Sequence, residues 1–230
     1  MTEHTIPSKS VEDFLKAVFT LQQQEERVST NTLRDALSIT APSVTDMAQR
    51  LVAAGLVDYQ KYRGVVLTEA GREIALKVIR RHRLIELYLM RELSYELREV
   101  HGEAERLEHA VSDHFIEALA RKLGNPHFDP HGDPIPSPEG VIAEQHLQPL
   151  TLLVPGVKGT IARLKTNDSE MLQHMLDRGF KLNAHIEVIE RDPFNGPITA
   201  HVEGKRRVIG HHVAENILVA TDSAMDSSGC

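Results

Sequence analysis

Residues 38–68 read SITAPSVTDMAQRLVAAGLVDYQKYRGVVLT. Thr40 stands where a helix N-cap is needed, and Pro42 falls in the first turn, where its missing N–H would be unpaired anyway. Val44, Met47, Ala48, Leu51 and Val52 then recur at helical spacing. Gly55 is placed to end that helix in the left-handed conformation. Two short β-textured runs follow at once, 56–60 and 65–67, with Lys61-Tyr62-Arg63-Gly64 as the turn between them. A helix with a polar outer face, followed directly by a hairpin, is the core of a winged helix-turn-helix.

The flanks agree with this reading. Upstream, Ser10 precedes Val11, Phe14, Leu15, Val18 and Phe19, the stripe of an amphipathic helix, and a short helix is expected around Thr30–Leu37. The winged domain is therefore assigned to residues 1–75. Its outward positions are Pro42, Ser43, Thr45, Asp46, Gln49 and Arg50 on the third helix, and Lys61 and Arg63 on the wing. Short hydroxyls near a helix N-terminus bond phosphates or base edges, and arginine binds phosphate or guanine.

Downstream, Thr68 caps a long helix running through Leu76, Val78, Ile85 and Leu89. The segment 76–146 reads as a helical domain. It closes on five prolines within residues 126–138, a semi-rigid linker of about 126–140. Residues 150–222 change texture. Short apolar runs at 150–154, 159–164, 186–189, 199–202 and 208–209 alternate with turn residues, and one helix interrupts at 169–178. That pattern predicts a small β-barrel. The fold class is thus mainly α with small β, in three domains.

The formal net charge of −7 looks unfavourable for a nucleic-acid partner. Divided along the chain it is not. Residues 1–83 carry +2, residues 84–150 carry −8 and residues 151–230 carry −1. Seven of the 13 histidines lie between positions 82 and 146. A lone cysteine, Cys230, excludes a disulfide framework and a thiolate-rich zinc site. No apolar run is long enough to span a membrane, and the N-terminus has no signal-peptide pattern, so a cytoplasmic location is expected.

Carboxylates and imidazoles are concentrated in two places. His82 and Glu86 are i, i+4 neighbours, and His101, Glu105, Glu108 and His109 share one helical face. Adjacent carboxylates repel unless a cation lies between them. Oxygen and imidazole donors without thiol suit Mn(II) or Fe(II). Two other readings stay open on spacing alone. One is a solvated acidic helix on a metal-independent winged-helix regulator. The other is a helical metalloenzyme using the same cluster, although no Glu-x-x-His pair of the di-iron bundles is present.

With these motifs the chain resembles the diphtheria-toxin-repressor family of metal-dependent transcriptional regulators. The resemblance rests on Ser43-Val44-Thr45, Leu67-Thr68-Glu69-Ala70-Gly71, Arg81-His82-Arg83-Leu84, His101 through His109, and Pro130-His131-Gly132-Asp133-Pro134-Ile135-Pro136. It implies a homodimer binding palindromic double-stranded operator DNA, a non-enzyme, with Mn(II) or Fe(II) as co-repressor at two sites per chain. It implies that the 76–146 domain dimerises and holds metal, and that the last domain is SH3-like. One site would use Asp13, Glu105, Glu108 and His109, and a second His82, Glu86 and His101. The SH3-like module would add Asp168 and Glu170. Carboxylates at positions 13 and 105 place the chain toward the manganese branch. Lys16, where that branch carries a glutamate, departs from it. Asp13 also fits a Ser10-x-x-Asp13 capping box.

Overall fold

The computed structural model describes residues 8–166 and 168–222; Cys230 lies outside them. Three helices open the chain: α1 (Lys9–Leu21), α2 (Thr30–Leu37) and α3 (Ala41–Ala53). The hairpin β1 (Val57–Gln60) and β2 (Gly64–Leu67) follows, antiparallel, with Val57 opposite Leu67 and Gln60 opposite Gly64. Then come α4 (Glu69–Leu93), α5 (Leu97–Leu107) and α6 (Asp113–Lys122). The winged helix-turn-helix is present as expected.

Its local stops are those the residues dictate. The Thr40 hydroxyl accepts from the Ser43 N–H at 3.3 Å and caps α3. At the other end Gly55 takes φ +72°, its N–H bonds the Val52 carbonyl, and the Leu56 N–H reaches the Leu51 carbonyl. Both orphan carbonyls are thereby satisfied in a Schellman arrangement. Thr68 likewise caps α4 through Gly71 N–H at 3.2 Å. Helix α1 begins differently from the sequence reading. Its N-cap is Ser8, with no side-chain cap bond, so Asp13 lies beyond the first turn and no Ser10–Asp13 capping box forms.

Packing divides the chain into two compact units. Among the described residues the first contains 8–82, 105–116 and 136–141, and the second contains 83–104, 117–135, 142–166 and 168–222. In the first, Phe14, Leu15, Val18, Leu33, Val44, Ala48, Val57 and Val65 form the buried interior beneath the recognition helix.

In the second unit lies a six-stranded antiparallel sheet. It is made of β3 (Gln148–Pro149), β4 (Lys158–Leu164), β5 (His185–Arg191), β6 (Ile198–Val202), β7 (Lys205–Ile209) and β8 (Ile217–Thr221), in the order β3-β8-β4-β5-β6-β7. Helix α7 (Ser169–Asp177) and the short α8 (His211–Ala214) complete it. Leu150, Ile161, Leu164, Met175, Phe180, Val188, Ile198, Ile217 and Val219 are buried in one core.

Three sequence expectations need correction here. The run 150–154 is not a strand: Leu150–Leu152 forms a 3₁₀ turn after the two-residue β3. The closing strand β8 was not anticipated, although it lies centrally between β3 and β4. The proline-rich segment is not an exposed linker throughout. Asp129, Pro130, His131, Gly132, Pro134 and Ile135 are buried. The Asp129 carboxylate accepts from the His131 and Asp133 N–H groups at 2.8 and 2.9 Å, and Leu164 N–H of β4 donates to the His131 carbonyl at 2.9 Å. Proline removed the competing helix, and these bonds then closed a compact loop. Among the described residues no helix is long and apolar enough to cross a membrane.

Gly71 supplies a test of packing against propensity. It sits inside α4, where alanine is worth about 1 kcal/mol more than glycine. A Cβ at that position would run into the Leu56 carbonyl oxygen. Gly71→Ala is therefore expected to destabilise the protein, by about 1–3 kcal/mol, in denaturant unfolding. A stabilised variant would show that the contact relaxes freely.

Candidate metal centre and nucleic-acid interface

The first unit contains one dense polar cluster. Helix α5 ends at Leu107, and Glu108 and His109 occupy the turn that follows it rather than the helix. Asp13 reaches the same place from α1. Ligand-type atoms of Asp13, Glu108 and His109 all lie within 4.8 Å of one another. Glu108 is buried, and the side chain of His109 is 10% exposed.

The two ring nitrogens of His109 have different surroundings. Nδ1 lies 2.6 Å from Glu12 Oε2. An ionised carboxylate only accepts, so Nδ1 donates its proton to Glu12; in a neutral ring, the form that ligates a metal, the lone pair is then on Nε2. Nε2 is buried beside Asp13 Oδ1 at 2.9 Å and Glu108 Oε1 at 3.2 Å, yet makes no hydrogen bond. A buried lone pair facing two carboxylate oxygens is unfavourable unless a cation sits among them. The donor set fits a divalent ion, and Glu12 is the outer partner that such a histidine ligand needs. Glu12 is in turn held by Arg81 Nη1 at 3.0 Å, and Arg81 also grips Asp113 at 2.7 Å.

Glu108 carries two further partners. His82 Nδ1 lies 2.5 Å from its Oε2, and Lys16 Nζ donates to both oxygens at 2.9 and 3.0 Å. Burial works against the Glu108 charge, but the His82 bond and the Lys16 charge outweigh it and hold the carboxyl below the usual range. Glu105 is farther out: its side chain is 55% exposed and 3.9 Å from Lys16 Nζ.

A second cluster lies in the second unit. Glu86, Asp129 and His131 are all buried and also bring their ligand-type atoms within 4.8 Å. His101 Nδ1 is 3.2 Å from Glu86 Oε1, and His131 Nδ1 is 3.6 Å from Glu86 Oε2. Burial and the charges of Asp133 and Glu86 push the Asp129 carboxyl up to about 7, against His131 and Arg83. Burial opposes the His131 imidazolium, yet its bond to Glu86 and the surrounding carboxylates raise its pKa. Arg83 lies 3.7 Å from Asp129 and 3.6 Å from Asp133, and Arg163 lies 3.4 Å from Asp133, so cations already face these carboxylates; what suits a divalent ion is the convergence of oxygen and imidazole donors.

The sequence-derived residues are distributed as follows. Asp13, Glu108 and His109 come together, with His82 beside Glu108. Glu86 and His101 meet in the other cluster, where His82 stands one turn earlier on α4. Asp168 and Glu170 are exposed. The Asp168 carboxylate caps α7 by accepting from the Glu170 and Met171 N–H groups at 2.9 and 3.1 Å. Sequence reasoning missed Glu12, Asp129 and His131. Glu12 is adjacent to a chosen ligand, and its signal was a carboxylate set among the apolar residues of the α1 stripe. Asp129 and His131 belong to the proline-rich run, where periodicity gives no face.

On the DNA-reading side, Pro42, Ser43, Asp46, Gln49 and Arg50 are exposed along α3. Thr45 is half-buried, and its hydroxyl donates to the Ala41 carbonyl at 3.1 Å. At the wing tip Lys61 and Arg63 flank Tyr62, which is 92% exposed, with Lys61 Nζ 5.0 Å from the ring centre. The wing is anchored below by Val28 pairing with Val65 and by Arg27 bonding Asp58 at 2.9 Å.

Comparison with known proteins agrees with both features. Residues 8–65 match the iron dependent repressor N-terminal DNA binding domain, and residues 68–137 its metal binding and dimerisation domain. Residues 148–221 match the FeoA domain. A solved manganese-dependent transcriptional repressor in complex with manganese is 37% identical. It covers 92% of this chain, with 99% of its own length matched and a TM-score of 0.86.

The chain belongs to the iron-dependent repressor family, that of the diphtheria toxin repressor.

It is a metal-dependent, DNA-binding transcriptional regulator of that family. The manganese regulator SloR is 31% identical, covering 92% of this chain and 98% of its own at a TM-score of 0.76. The iron-dependent repressor IdeR of Mycobacterium tuberculosis is 29% identical over 223 residues, 91% of this chain and 96% of that one. The C-terminal sheet is the family's SH3-like FeoA module.

Glu12 offers a direct test of the centre. Removing an outer partner of a histidine ligand costs about 10–100-fold in metal affinity. Glu12→Ala is expected to lose that much Mn(II) affinity by calorimetric titration. Unchanged affinity would mean that Glu12 serves only Arg81.

Proposed function

We propose that this protein is a cytoplasmic homodimeric repressor of metal-homeostasis genes, with Mn(II) or Fe(II) as co-repressor and a palindromic operator as its DNA. The observation that carries this reading is the orphaned His109 Nε2, aimed between Asp13 and Glu108 with its other nitrogen held by Glu12. Asp13, Glu108 and His109 would hold one ion, with Glu105 at the rim, and Glu86, Asp129 and His131 would hold another. The absence of sulfur from both sets favours Mn(II) and Fe(II) over softer ions. A solved relative named for manganese and a relative named for iron support the same pair.

A bound divalent cation would supply the positive charge that lets these carboxylates share one point. The chain's own part is mechanical. Asp13 sits on α1, whose neighbours Phe14 and Leu15 are buried in the winged-helix interior, while Glu108 and His109 sit on the turn after α5. Tying Asp13 to that turn fixes α1, and with it α3, against the segment that carries Glu108 and His109. Two recognition helices of a dimer must meet major grooves about one helical turn, ~34 Å, apart or a multiple of it. Pre-setting α3 removes part of the ordering cost of binding. The relatives are transcriptional repressors, and the cluster would serve regulation rather than catalysis.

The test uses an operator selected from random duplexes in the presence of Mn(II). At fixed salt, Mn(II) or anaerobic Fe(II) should tighten binding over a chelated control by roughly 5–150-fold. Equal affinity with and without metal would overturn the proposal. On that operator Arg50→Ala should cost about 1–3 kcal/mol and relax one base preference, whereas Lys61→Ala should weaken all sequences alike and lower the salt slope by about 1.

A further inference from the structure

Lys16 is a cation built into the first metal cluster. Its ammonium donates to Glu108 Oε1 and Oε2 at 2.9 and 3.0 Å and lies 3.9 Å from Glu105 Oε1. It also lies 3.2 Å from His82 Nδ1. That nitrogen has one role only. At 2.5 Å from Glu108 Oε2 it is the donor to the carboxylate, so it does not also accept from Lys16. The lysine protons are therefore directed to Glu108 and toward Glu105.

The formal charges then sort themselves. Glu12 is answered by Arg81 and by the His109 Nδ1 proton. Lys16 answers Glu108, and Asp13 faces the buried His109 Nε2 from the other side. The open coordination point is the one marked by His109 Nε2, on the Asp13–Glu108 edge. The Glu105–Glu108 side is already taken by the ammonium.

We propose that Lys16 is a tethered cation filling one half of this cluster, so that Asp13, Glu108 and His109 accept one divalent ion per chain and not a pair. The inference rests on the metal reading above and refines it. Lys16 shares Glu108 Oε1 with the incoming ion, so it is a positioning residue that sets how much free metal the regulator needs.

The experiment is Mn(II) stoichiometry by elemental analysis, with electron paramagnetic resonance, on the full chain and its variants. Wild type should show only isolated six-line Mn(II) signals. Lys16→Glu should bind one more ion per chain and give the spectrum of an exchange-coupled pair. Lys16→Met should keep the wild-type count but bind roughly tenfold tighter, because one opposing charge is gone. A coupled pair in wild type would overturn the inference, as would a Lys16→Glu variant that gains no ion, or a Lys16→Met variant whose affinity does not rise. His109→Ala separates this from the underlying reading. If that variant holds as many ions as wild type, the cluster is not a metal site at all, and the failure is not specific to Lys16.

Discussion

Negative charge held out of water at the junction of α1 and the turn after α5 is the constraint on which the rest depends. Glu12 and Glu108 are buried, and Asp13 adjoins them. Such groups stay ionised only if cations are placed against them. Arg81 and Lys16 do so from α4 and α1, His82 adds a hydrogen bond to Glu108, and His109 presents one nitrogen to Glu12 and the other to open coordination space. The cluster is neutralised enough to fold, yet a gap remains at Nε2.

That arrangement links the site to the reading head through ordinary packing. The same few residues of α1 carry Glu12, Asp13 and Lys16 on one side and Phe14, Leu15 and Val18 on the other. The apolar side is buried in the winged helix, so any force on Asp13 is felt by the helix that supports α3. Coupling through one short amphipathic helix needs no long relay.

Much of this was legible in the residues. The stripe of α1, the Thr40 cap, the Gly55 stop and the hairpin after it are local rules, satisfied by near neighbours in sequence. Counting puts His101 through His109 on one helical face, and that holds only as far as Leu107. The errors have a common cause. Period-based reading gives no answer for prolines 126–138, for the 3₁₀ turn at Leu150–Leu152, or for α5 ending just before its two most important ligands. In the proline-rich run a hydrogen bond to a distant segment, Leu164 N–H to the His131 carbonyl, overrides local preference.

The sequence by itself determined the fold class, the polar face of α3 and the supply of hard ligands without thiol, because each follows from spacing and donor chemistry along one strand of chain. Only the tertiary structure decided that Glu12 fixes the His109 tautomer, that Asp129 and His131 join Glu86, and that Lys16 reaches Glu108 across 92 positions. Those are meetings between segments far apart in sequence. They exist because buried charge must be balanced by whatever cation the fold brings within reach.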